Sequence, residues 1–218
     1  MNESGEQTPS GLARWLTVHD DLLRGLVHSF SNRVGAIATT AYLLELQPGS
    51  PTGPTATLRE ECDRLDALLH LLRLLPHRGD APAEPVIPTD AVAQAMALQH
   101  EHPEHRETSM TVTRDGDLQP AYVEPGAFTM ALAVAIGAAR RAAHAGGEVA
   151  ITIGCTTDRV TIWARGVRAD HFPGDADPRA QDDLAAVEWL LAPSGGRALA
   201  DRAGVGLAVP TLQAARRH

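Results

Sequence analysis

The sequence predicts a helical hairpin, paired with a second copy into a dimeric four-helix bundle, followed by an α+β sandwich. Three observations carry this prediction. Apolar residues recur at helical spacing on both sides of a turn-forming stretch from Pro48 to Pro54. A second cluster of prolines, Pro76, Pro82, Pro85 and Pro88, then marks a change of pattern. Beyond it, segments whose hydropathy alternates at every second residue are interleaved with helical ones, the mixture expected of helices packed on a sheet.

Composition bounds the function classes. The 218 residues, 44% of them hydrophobic, suit one compact domain or two small ones. All 19 basic residues are arginines and the net charge is −8, so the chain lacks the basic tract that nucleic-acid binding uses. The absence of lysine reads as compositional bias. Two isolated cysteines, Cys62 and Cys155, are too few for a disulfide framework or a zinc cluster and fit a reducing compartment. Residues 1–9 are polar and lack the pattern of a signal peptide, and no apolar run approaches the roughly 18 residues of a membrane span. The expected protein is soluble and cytoplasmic, without a nucleic-acid or membrane partner.

The elements follow in order. A first helix is expected from Ser10 to Gln47, with a stripe of Leu23, Leu26, Phe30, Val34, Ile37 and Ala41. Leu58, Leu65, Leu68, Leu69, Leu72 and Leu75 give a second, from Thr57 to Leu75. One hairpin cannot cover both stripes, which is the reason to expect a homodimer. The hairpin domain is assigned to 10–78, a linker to 79–88 and the second domain to 89–218. A short strand is expected at Val86-Ile87, a helix from Thr89 to Gln99, strands at Met110 to Thr113 and Ala121 to Val123, and a helix from Pro125 to His144. The alternating segments Glu148 to Cys155 and Arg159 to Ala164, joined by Thr156-Thr157-Asp158, read as a hairpin. Helices are expected again from Asp182 to Leu191 and from Leu207 to Arg217.

His28 is the candidate reactive group. At about 100° per residue it lies roughly 160° from the centre of the first helix's stripe, and Asn32 follows one turn later on the same side. A solvated imidazole near neutral pH is a nucleophile, and a neighbouring amide can orient it. Arg24, one turn before, offers a positive charge on that side. Ser29, Ser31, Arg33 and Gly35 are expected to line the surface a partner meets, with Gly35 permitting close approach. Taken alone, His28 and Asn32 read better as two solvent-facing helix residues; their context reverses that preference. His100, His102 and His105 do not make a metal site, because His100 and His102 point to different helix faces and Pro103 breaks the helix.

In this context the chain resembles the core of a bacterial sensor histidine kinase. The run from His28 through Asn32 to Ala36-Ile37 is similar to that family's phosphoacceptor box. The hairpin is similar to its dimerisation and phosphotransfer domain, and residues from about 85 onward follow the order of its ATP-binding domain. The family's nucleotide motifs are eroded. The helix that carries asparagines for magnesium and phosphate reads Ala-Leu-Ala-Val-Ala-Ile-Gly-Ala-Ala-Arg-Arg from Ala131 to Arg141, with Gly137 at its centre. Ala164 stands where the adenine-binding aspartate is expected, and Ser29 stands where an acidic residue commonly follows the histidine.

Gly204-Val205-Gly206 is similar to the family's second glycine box, which opens a helix under the phosphates, while the family's closing hairpin is expected to be missing. The resemblance thus implies a degenerate kinase of histidine phosphotransferase type, without ATP of its own. In it His28 relays a phosphoryl group between aspartates of response-regulator or hybrid-kinase receiver domains, which supply the Mg2+. The alternative it leaves open is a non-catalytic adaptor that regulates a kinase or response regulator by binding.

Overall fold

The computed structural model describes residues 8–46, 53–74, 81–101, 108–143, 147–167, 179–201 and 204–217. The turn between the two first helices, part of the proline-rich segment, and His102 and His105 lie outside them. Helix α1 spans Thr8–Leu46 and α2 spans Gly53–Arg73. At about 1.5 Å per residue α2 is roughly half as long as α1, so it can run back along only part of it. Arg33 of α1 and Glu61 of α2 join the two, Nη1 to Oε2, at 3.2 Å.

The rest of α1 packs on the second domain, and this changes which face is buried. Trp15, Val18, Leu22 and Leu26 are buried, together with Gly11 and Ser29. The stripe expected from the sequence is offset from these residues by about 100° around the helix. Of that stripe only Leu26 is buried; Phe30 is 39% exposed, Val34 is 44% exposed, and Leu23, Ile37 and Ala41 are half-buried. α1 therefore carries two apolar faces, and the single chain covers one of them.

In the second domain, strand β1 (Glu84–Val86) leads into α3 (Pro88–His100). Strands β2 (Ser109–Asp115) and β3 (Ala121–Val123) precede α4 (Pro125–Ala143). The expected end of the linker is thus a strand, paired antiparallel with β3 from Glu84 opposite Val123 to Val86 opposite Ala121. Strands β4 (Glu148–Cys155) and β5 (Arg159–Val167) form the expected hairpin and are followed by α5 (Ala180–Leu191). The chain closes with β6 (Arg197–Ala200), β7 (Gly204–Pro210) and the short α6 (Leu212–Ala215).

The main sheet has the order β2-β4-β5-β7-β6, with β2 parallel to β4 and every other pair antiparallel. Two expectations fail here. Residues 204–210 are a strand between β5 and β6 rather than the start of a helix, and β6 with β7 supplies the closing hairpin that was expected to be missing. Val205, Leu207 and Val209 alternate into the core at period two, which outweighs the helix-like glycine start.

Helix α4 is the centre of the core, buried along nearly its whole length against the sheet on one side and helices on the other. Its alanines and glycine allow this. A Cβ on Gly137 would lie 2.9 Å from the Gln99 side chain of α3, whose Nε2 donates to the Ala133 carbonyl at 2.7 Å. Glu124 caps the helix start by accepting from the Gly126 amide at 2.9 Å and from the Ala127 amide.

Candidate functional site

His28 is exposed on α1, and Asn32 is exposed one turn later. The amide Nδ2 of Asn32 lies 3.2 Å from the imidazole Nε2. With the amide as donor, Nε2 is the unprotonated nitrogen and Nδ1 carries the proton. The nitrogen with the free lone pair is thus the one the amide holds. Measured around the helix from the buried face, His28 sits about 100° away, on the same flank as Arg14 and Asp21.

The residues expected beside His28 divide into two groups. Ser31 is exposed, its hydroxyl donating to the Val27 carbonyl at 2.9 Å, and nothing lies within 4 Å of a Cβ built on Gly35. Arg24 is exposed but engaged: its guanidinium bonds Asp20 at 2.8 Å and Asp21 at 3.3 Å, so its charge is already shared. Two positions depart from expectation. Ser29 is buried at 3% exposure and cannot meet a partner; one residue is a step of about 100°, enough to carry it from the His28 flank onto the buried face. Arg33 is tied across the hairpin to Glu61, so it fastens α2 to α1.

Glu61 is itself buried and is held between Arg33 and Arg64. Burial alone would raise its pKa, but hydrogen bonds from Arg64 and Arg33 and their charges overrule that and hold it below the usual range. On the other side of the second domain contact, burial pushes the His19 imidazole down, against the opposing charge of Asp20.

The helix on which the resemblance expects the nucleotide motif borders a small cleft. Arg14, Val18 and Leu22 of α1 face Ala133, Gly137 and Arg141 of α4 across a cleft of about 210 Å³. Small-molecule sites ordinarily enclose about 300–1,000 Å³. Ala164 is buried in the centre of the sheet, opposite Ile151 and Val205. Gly204 and Gly206 stand in β7 opposite Arg165 and Trp163, and a Cβ on Gly206 would come within 2.7 Å of the indole. Their glycines serve strand packing; they open no helix.

Sequence reading missed the group that joins the two halves. Asp183, at the start of α5, has a side chain with no exposure and accepts from Arg14 Nε at 2.7 Å and from Arg141. Beside it, α1 and α5 approach so closely that a Cβ on Gly11 would fall 2.4 Å from the Ala185 carbonyl oxygen. Asp182-Asp183 carried the signal of a helix start and nothing more, because its partners lie far away in sequence.

No protein-family model matches the chain, and no curated protein does. Solved structures do match. The catalytic domain of the histidine kinase ThkA is 10% identical, with a TM-score of 0.48 over 60% of this chain and 98% of its own. The chain is similar to histidine kinase catalytic domains. A mycobacterial sensor histidine kinase, MprB, is 15% identical with a TM-score of 0.45, covering 59% of this chain and 97% of its own. A bacterial phosphotransferase is 16% identical with a TM-score of 0.42, covering 88% of this chain and 95% of its own. Among the described residues, no helix is long and apolar enough to cross a membrane, and no cluster of His, Cys, Asp and Glu is arranged to hold a metal.

Proposed function

We propose that this chain is a histidine phosphotransferase of a two-component relay, receiving a phosphoryl group on His28 from a receiver-domain aspartyl phosphate and passing it to a second receiver. The observation that carries the reading is the exposed His28 imidazole, with its Nε2 3.2 Å from the Asn32 amide nitrogen. In the forward step the Nε2 lone pair attacks phosphorus, the Nε2–P bond forms, and the P–O bond to the aspartate breaks. The carboxylate leaves with the bonding electrons, and the imidazolium charge is relieved by loss of the Nδ1 proton to water. The Asn32 amide, released from Nε2, then donates to a phosphoryl oxygen. Mg2+ comes with the receiver, and Arg24 exchanges an aspartate for the incoming phosphoryl charge.

The reading without ATP draws support from the small volume of the cleft beside Ala133 and Gly137, about 210 Å³. A homodimer through the hairpin draws support from the exposed Val27, Phe30, Val34, Leu69 and Leu72.

The test is transfer from a panel of phosphorylated receiver domains to the wild-type chain and to His28→Ala, without ATP. Acid-labile, base-stable label on the wild type alone establishes the relay. Binding of a receiver with no label on either protein would overturn it and leave the adaptor reading.

A further inference from the structure

We infer that Asp183 is a positioning residue for His28: its buried carboxylate, shared between Arg14 of α1 and Arg141 of α4, holds the phosphoacceptor helix on the second domain as one body, so that a receiver docks on both together. This rests on the phosphotransfer reading for its consequence, though the clamp itself is a matter of geometry.

Three features meet at this point. The Asp183 side chain has no exposure, and Arg14 only 12%, so their ion pair is shielded from solvent screening. The carboxylate bridges two elements: Arg14 belongs to the helix that carries His28, and Arg141 belongs to the central helix of the second domain. The backbones of α1 and α5 then approach closely at Gly11 and Ala185, where no side chain would fit between them. A surface ion pair would exchange freely with water; here the carboxylate is fully buried, while Arg14 and Arg141 border the cleft between α1 and α4.

His28 lies three to four turns along the same helix from Arg14 and on the same flank. Any rocking of α1 about the clamp would move the imidazole relative to the second domain, and phosphoryl transfer needs the attacking nitrogen placed in line with the leaving oxygen. The clamp thus sets docking geometry while touching none of the reacting atoms.

The decisive variant is Arg14→Ala, which cuts the link between the halves while Arg141 continues to pair Asp183, so the second domain keeps its buried charge compensated. Spin labels at the exposed Thr17 and Gln213, in a Cys62→Ser, Cys155→Ser background, report the distance between α1 and the second domain. Transfer from the receiver that labels the wild type is measured in parallel. The expected result is a broadened distance distribution and a several-fold higher KM for the phosphorylated receiver, with any fall in kcat smaller than the rise in KM, both restored by Arg14→Lys.

An unchanged, narrow distribution would overturn the clamp. A broadened distribution with unchanged KM would overturn the positioning role. If no receiver labels the wild type while Arg14→Ala still broadens the distribution, the clamp stands and the phosphotransfer reading falls.

Discussion

Ser29 and His28 are neighbours in sequence with opposite surroundings, and each supplies a prediction. The Ser29 hydroxyl is buried and has no hydrogen-bond partner among the described residues. Replacing it by alanine removes an unsatisfied group and improves helix propensity, so Ser29→Ala is expected to raise stability by about 1 kcal/mol in urea unfolding. Ser29→Glu would bury a carboxylate and is expected to destabilise strongly. Asn32 is exposed, so Asn32→Ala leaves stability within about 0.5 kcal/mol and instead slows labelling of His28. The shifted His19 sets a pH dependence. Its imidazole is held below its ordinary range when folded, so between the folded value and about 6.5 the unfolded chain binds more protons. Stability therefore falls as pH drops through that window, and denaturation of His19→Gln at several pH values is expected to show a flatter profile.

Helix α1 accounts for most of what the sequence made legible and for what it concealed. Its length, its partner α2 and the exposure of His28 were all readable, because 3.6-residue periodicity and turn residues are local signals. Two offset apolar faces on one helix were not separable. Phe30 and Val34 satisfied the same spacing rule as Leu22 and Leu26, and only the packing of α1 on the second domain decides which pair is buried. The same limit explains β7: glycines before an apolar run suit a helix or a strand equally, and pairing with β5 settles it. Gly11→Ala tests the contact that sequence could not show. The added methyl would overlap the Ala185 carbonyl, so a loss of about 1–3 kcal/mol is expected, read by thermal unfolding.

At the scale of the whole molecule, the second apolar face of the hairpin predicts self-association. Phe30→Glu is expected to shift the chain from dimer to monomer in sedimentation while leaving its far-ultraviolet circular dichroism unchanged, because Phe30 is already 39% exposed within one chain. The Arg14 to Asp183 pair has a further consequence, for the order in which the protein is made. The two residues are 169 positions apart. During synthesis the hairpin emerges early, but the main contact of α1 with the second domain, the one with α5, cannot form until α5 has left the ribosome. Trp15, Val18 and Leu22 are therefore open to chaperones or to misassociation for most of translation. A chain stopped before α5 would complete its hairpin and still lack that contact, so the last fifth of the polypeptide is needed to finish packing the first helix.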